Sequence, residues 1–168
     1  MRTSWVGLAF AGAIASIGAL YAQSTASANG VEVAIPKGWH WNQAIAQAGG
    51  PLSLTTFDHW DSGGVPPAGG AEIDITRVPA PRNLQAYVRH EVEGAEADPP
   101  SESAIQKMPA VEIAFTDTYG ELKLSTRALY ILHGDKLYKL YLTFHTADAH
   151  AVDFAAVLHE LARQANFE

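Results

Sequence analysis

Cysteine is missing from all 168 residues. Its absence excludes a disulfide framework, a thiol nucleophile and lipid attachment at a lipobox-type cysteine, so the fold must rest on its hydrophobic core. Basic residues are scarce as well: 11 Lys and Arg stand against 18 Asp and Glu, a formal charge of −7. The cations are scattered singly. That argues against nucleic acid, whose phosphates need clustered Lys and Arg, and equally against an anionic membrane surface. No serine sits in a G-x-S-x-G elbow. Gly63-Gly64 and Gly69-Gly70 lack the strand-to-helix context and the lysine of a phosphate-cradling loop. Glu91 and Glu93 read as solvated charge more readily than as an acid and base pair.

What is present begins with a targeting pattern. Arg2 opens the chain, an apolar run extends from Trp5 to Leu20, and small residues end at Ala26-Ser27-Ala28. These are the three parts of a secretory signal, here residues 1–28, with cleavage after Ala28 as the best A-x-A match and Ala22 and Ala26 as alternatives. The run is short for a spanning helix of about 20 residues, although an uncleaved anchor is the competing reading. Export to the periplasm or beyond is therefore expected, with no stable membrane span after cleavage. Removal of residues 1–28 leaves 10 Lys and Arg against 18 Asp and Glu, a formal charge of −8. Residues 29–168 are long enough to bury one core, and a single domain without repeats is expected.

The last quarter of the chain is the most legible. Leu129 to Leu132 and Leu137 to Phe144 flank His133-Gly134-Asp135-Lys136, and Gly134-Asp135 suits a type II′ turn, whose first central residue needs positive φ. Tyr138, Leu140, Leu142 and Phe144 share one face of the second strand. Leu137, Lys139, Tyr141 and Thr143 share the other, so the sheet is expected to be covered on both sides. Beyond Thr146, read as an N-cap, Phe154, Val157, Leu158 and Leu161 fall on one helical stripe.

Upstream, Val31, Val33 and Ile35 alternate with polar or small neighbours as a first strand, ended by Pro36 and Gly38. Residues 42–48 predict a short helix stopped by Gly49-Gly50-Pro51, and Leu52 to Phe57 a second strand. Four glycines and two prolines make Asp58 to Gly70 a loop, followed by a third strand from Ala71 to Thr76. Asn83 caps a helix whose stripe is Leu84, Tyr87, Val88 and Val92. Glu93 to Ser103 reads as a solvated acidic connection. Val111, Ile113 and Phe115 mark a fourth strand, and Tyr119-Gly120 turns into a fifth running into the hairpin. The expected architecture is α+β, a three-layer α/β/α sandwich around a mainly antiparallel sheet of about six strands.

An opening strand ending in Ile35-Pro36-Lys37-Gly38-Trp39, a late hairpin from Ala128-Leu129-Tyr130-Ile131 to Leu137-Tyr138-Lys139-Leu140, and a terminal helix beginning near Asp148 together resemble the PsbP/Mog1/DcrB-like family. The resemblance spans nearly the whole of residues 29–168. It implies an α/β/α sandwich and roles in binding or assembly, such as support of a photosystem or a small GTPase, more than catalysis. It carries no common catalytic set.

Candidate sites are sparse. Asp58, His59 and Asp61, with Trp60 between them, could begin a divalent-metal site, and a solvated strand end explains them equally well. His145, His150 and Asp153, near Asp148, offer a second metal set, against the plain reading of acidic residues at a helix start and part-packed histidines. Trp39, His40 and Trp41 could line a pocket for a sugar or other ring-bearing ligand, against the plain reading of a core tryptophan with its partner at a surface edge, and Trp60 is a further candidate binding residue. The function expected is a non-enzymatic binding or assembly module acting on a protein partner in the periplasm or envelope. A divalent-metal or small-ligand binding protein is the alternative, and a hydrolase the third reading. No cofactor is called for unless one of the metal sets is used.

Overall fold

The computed structural model describes residues 24–59, 65–148 and 151–168. Among these, the chain forms β1 (Thr25–Ala28), β2 (Val31–Ala34), β3 (His40–Trp41), α1 (Gln43–Gln47), β4 (Leu52–Thr55), β5 (Ala71–Pro79) and α2 (Leu84–Glu91). There follow β6 (Glu96–Ala97), β7 (Ser101–Ile105), β8 (Met108–Tyr119), β9 (Leu122–His133), β10 (Lys136–His145), α3 (Ala151–Gln164) and β11 (Asn166–Phe167). The main sheet has eight strands in the order β3-β4-β5-β10-β9-β8-β6, with β7 also pairing β8, and a second sheet has the order β1-β2-β11. Every strand pairing among the described residues is antiparallel. The expected sheet of about six strands is thus an underestimate.

The predicted hairpin is β9–β10, in register from Lys136↔His133 to His145↔Leu124. Gly134 carries φ +59° at its turn while Asp135 does not enter the positive region, as a type II′ turn requires. β10 lies between β5 and β9, and its side chains alternate between two cores. Tyr138, Leu140, Leu142 and Phe144 face Phe154, Leu158 and Leu161 of α3 together with Ala26, Val31 and Val33 of the small sheet. Leu137 faces the other way, with Ala128, Tyr130, Val111 and Ile113, beneath Val88 of α2. The two coverings are unequal, a helix and a small sheet on one face and a two-turn helix on the other.

α2 starts where expected: the Asn83 side chain accepts the Ala86 N–H at 2.9 Å. α3 starts later. Its predicted cap, Thr146, continues the hairpin instead, donating its N–H to Lys123 O at 3.1 Å and accepting from Ser125 Oγ at 3.0 Å. With the ladder running to His145↔Leu124, the backbone at 146 is still committed to the sheet. The acidic segment 93–103 is also more ordered than expected, since β6 and β7 share the outer edge of β8. β7 is joined to β8 by Gln106 (φ +51°) and Lys107 (φ +69°), the two positive values of a type I′ turn. That turn serves α3: Gln106 Nε2 lies 3.1, 3.1 and 2.7 Å from the carbonyls of Ala162, Arg163 and Ala165, which the helix end would otherwise leave unsatisfied.

The boundary expected at residues 28/29 falls inside a folded hairpin. β1 pairs with β2 from Thr25↔Ala34 to Ala28↔Val31, and Ala26 is fully buried. The turn is Asn29-Gly30, both with positive φ, the commonest residue pair for a type I′ hairpin. Asn29 Nδ2 donates to Gly50 O and Ile75 O at 3.2 and 3.3 Å, and Gly30 O accepts from Tyr138 Oη at 3.1 Å. Gly30 has φ +69°, a left-handed backbone that favours glycine, and a Cβ there would displace the tip of the Arg77 side chain. The turn is a rivet between the two sheets.

Of the three cleavage positions, the one after Ala22 leaves β1 whole. Mass spectrometry of the exported protein is expected to find Gln23 at the N-terminus. A chain beginning at Asn29 should melt at least about 5 °C below one beginning at Gln23 in thermal denaturation. Gln106→Asn, a residue that tolerates the left-handed backbone but lacks the reach, should cost about 1–2 kcal/mol in urea unfolding, and unchanged stability would remove Gln106 as the helix cap.

Candidate functional site

The register of the outer strands builds a cleft on the α3-side face of the main sheet. Side chains of directly paired antiparallel residues point to the same face. Glu96 pairs with Thr116, Thr116 with Ser125 and Ser125 with Phe144, giving one row across β6, β8, β9 and β10. In the next row Ala114 pairs with Arg127 and Arg127 with Leu142, while Asp98 donates its N–H to Ala114 O at 2.8 Å. Apart from the fully buried Leu142, these residues and Thr146 line a cavity of about 500 Å³, within the usual range of small-molecule sites. Ala114 is the small residue between Asp98 and Arg127, and the room over it is the cleft.

Arg127 is held from the side. Its Nη1 lies 3.5 Å from Glu112 Oε1, and His159 Nε2 of α3 lies 3.2 Å from the same oxygen. Glu112 lies one row further along the face, paired with Leu129, and does not line the cleft. With one long hydrogen bond among five N–H donors, the guanidinium keeps most of its donors for something else. Its side chain is 43% exposed, against 20% for Glu112, so it is accessible where its counter-charge is not.

Two further polar clusters lie on the opposite, α2-side face. Ser53 of β4 pairs with Asp74 of β5, and Ser53 Oγ donates to Glu72 Oε1 at 2.8 Å. Burial, then the neighbouring Asp74 carboxylate, pushes the Glu72 pKa up to about 7, with the Ser53 hydrogen bond opposing. Asp74 is raised as well, mainly by burial, with its Ser53 and Glu72 hydrogen bonds opposing. Two carboxyls this close share a proton rather than both ionise. Nearby, Glu91 Oε2 accepts from Lys139 Nζ at 2.9 Å and from Tyr141 Oη at 2.8 Å, and Tyr141 Oη meets Tyr130 Oη at 3.0 Å. Lys139 Nζ also lies 5.6 Å from the Tyr141 ring and 5.9 Å from that of Tyr87. Burial raises Tyr130 to about 12 and raises Tyr141 further, so both phenols stay protonated. Burial opposes ionisation of Glu91, but Lys139 and Tyr141 hold its pKa below the usual carboxylate value.

The residues singled out from sequence are mostly elsewhere. Trp39 is a core residue, 7% exposed and edge-on to Phe154 with ring centroids 6.2 Å apart, so it lines no ligand pocket. Trp41 is half-buried on the edge strand β3, and its buried indole N–H finds no acceptor among the described residues. Asp58 and His59 are exposed at the start of the loop. Trp60, Asp61 and His150 lie outside the described residues. His145 Nε2 donates to Pro66 O at 2.6 Å, which pins the far half of that loop to β10 and occupies one imidazole nitrogen. Asp153 is exposed in the first turn of α3, and Asp148 is half-buried before the helix. Among the described residues no three His, Asp or Glu side chains are grouped closely enough to hold an ion.

The sequence reading passed over Arg127 and the Glu72/Asp74 pair. A signal for each was present: a cation, Arg127, at the middle of a long strand that runs on into Ala-Leu-Tyr-Ile-Leu, and two acids at i and i+2 on the polar side of Ala71, Ile73 and Ile75.

No protein-family model matches the chain, and no curated protein matches it in sequence. Solved structures do share its fold. LpqN of Mycobacterium tuberculosis, involved in cell envelope biogenesis, is similar over 81% of this chain and 82% of its own, with a TM-score of 0.57 at 9% identity. A Pseudomonas aeruginosa protein of unknown function is similar over 82% of this chain and 94% of its own, with a TM-score of 0.52 at 18% identity. The cyanobacterial PsbP of Synechocystis is similar over 92% of this chain and 99% of its own, with a TM-score of 0.50 at 12% identity. The chain has a PsbP/Mog1/DcrB-like fold.

The carboxyl pair sets a pH dependence. A carboxyl whose folded pKa lies above its unfolded value stabilises the fold fully only below the unfolded value, and that contribution is lost as pH rises through the folded one. Stability should therefore fall by about 1–2 kcal/mol between pH 4.5 and pH 7 on account of Glu72, after allowance for solvent screening. Glu72→Gln should flatten that limb in urea titrations and be the more stable protein at pH 8, and a parallel pH profile would refute the shared proton.

Proposed function

We propose that this protein is an exported, non-enzymatic binding or assembly module of the cell envelope, engaging a protein partner and needing no cofactor. The observation that carries the reading is the chemistry of its polar clusters. Glu91, Lys139 and Tyr141 are tied to one another, while the Arg127 cleft offers unspent hydrogen-bond donors. The fold supports the same reading, because LpqN, which shares it, is involved in cell envelope biogenesis. The signal pattern at the N-terminus supports export, and no described helix is long and apolar enough to cross a membrane.

The partner surface we assign is the β3 edge with the loop start, Trp41, Asp58 and His59. An exposed edge strand with an amphipathic aromatic is a common basis for protein contact. The Arg127 cleft, at the opposite edge of the sheet, favours a second reading, binding of a small ligand. Metal binding at the histidine and aspartate sets would show itself through EDTA.

The test is a crosslinked pull-down of the exported protein from its native envelope, with and without EDTA, compared with Trp41→Leu/His59→Ala. A partner retained in EDTA and reduced about fivefold or more by the double variant is expected. Recovery of that partner only without EDTA would replace this reading with the metal one. Turnover of any substrate, abolished by one point substitution, would replace it with an enzyme.

A further inference from the structure

Charge in the cleft is separated in a definite way. Arg127 stands on β9, and Glu96 and Asp98 stand on the β6 side of β8, two strand spacings across. Adjacent strands are about 4.8 Å apart, so the backbones carrying opposite charges are roughly 10 Å apart. Ala114 and the Thr116 hydroxyl form the floor between them. A ligand that satisfies both walls must carry an anion at one end and a cation at the other. A free amino acid is short for that span, its ammonium and carboxylate being carried on the same carbon. An extended dipeptide, at about 3.5 Å per residue, is close to what remains once the side chains lean inward.

We propose that the cleft between Arg127 and Glu96/Asp98 binds a short zwitterionic peptide of about two residues through its free termini. The terminal carboxylate takes the planar fork of Arg127, a geometry for which guanidinium is suited and lysine is not. The terminal ammonium lies against Glu96 and Asp98. Ser125 donates to Thr146 Oγ1 at 3.0 Å, which leaves the Thr146 hydroxyl proton and the Ser125 lone pairs for the ligand's peptide group. Glu112, shared with His159, holds the guanidinium on its side away from the cleft and fixes its orientation. The proposal rests on the small-ligand reading of the cleft and is independent of the partner surface at β3.

The test uses the exported protein with alanyl-alanine as probe, followed by saturation-transfer NMR and calorimetry. Binding is expected, and N-acetylation or C-amidation of the probe should each weaken it about tenfold or more. Arg127→Gln and Glu96→Gln/Asp98→Asn should do the same, while Lys37→Gln, in a different groove, should leave affinity unchanged. Because the capped probes are read on the unaltered protein, a misfolded variant cannot decide the outcome. Equal binding of capped and free probes overturns the proposal. If alanyl-alanine fails but acetate or inorganic phosphate binds in an Arg127-dependent way, the zwitterion proposal falls and the small-ligand reading stands. If none binds up to about 10 mM, both fall.

Discussion

Everything in this fold is arranged around one fact about β10: it has a strand on each side and a core on each face. β5 and β9 satisfy its backbone, so its side chains alone decide what may lie above and below. Tyr138, Leu140 and Leu142, each fully buried, demand a broad cover, and α3 with the small sheet supplies it. Truncating one such leucine typically costs about 2–5 kcal/mol, a large part of the net stability of a domain this size. Tyr138 also carries a hydroxyl on that face that reaches the first hairpin. Its hydroxyl donates to Gly30 O and to Glu168 O, joining the first hairpin and the last residue to the centre of the main sheet. The N- and C-terminal segments are therefore fastened by the same strand.

What was legible beforehand follows from how local each signal is. The β9–β10 hairpin was readable because its turn chemistry and its alternation agree within sixteen residues, and α2 because Asn83 and its stripe are contiguous. The first hairpin carries an equally strong Asn29-Gly30 signal, but the small residues that form β1 also fit a signal-peptidase site. The Ala26-Ser27-Ala28 triplet satisfies both patterns, and only the burial of Ala26 against β2 separates them. β6 and β7 were unreadable for a different reason. Their exposed, acidic residues have no apolar face to announce a strand; they are strands because β8 is long enough to offer an edge. Trp39 shows the limit of composition. Trp39-His40-Trp41 looks like a cluster, yet Trp39 turns into the core while His40 is exposed.

The candidate site was less legible than the fold. A cleft made by register needs β6, β8 and β9 to be aligned before Asp98, Ala114 and Arg127 fall in one row, and no local pattern contains that information. The residues that did attract attention are close in sequence, and of those described Asp58, His59 and Asp153 are exposed. Adjacency along an irregular loop does not impose convergence, whereas pairing across a sheet does.

The contrast between the two faces explains why the most perturbed groups need not be the functional ones. Tyr130, Tyr141, Glu91 and Lys139 lie partly out of water, and their pKa values move accordingly, but each donor there is matched to an acceptor within the same cluster. Such a network stabilises the fold to the extent that its members satisfy one another, and it leaves fewer groups for a ligand to satisfy. At Arg127 the balance is reversed. Its single contact is at the outer limit of hydrogen bonding, the space over Ala114 is unfilled, and opposite charge waits two strands away. Binding is favoured where hydrogen-bonding capacity is unspent and the geometry is already fixed, because there a ligand gains contacts without the protein having to reorganise.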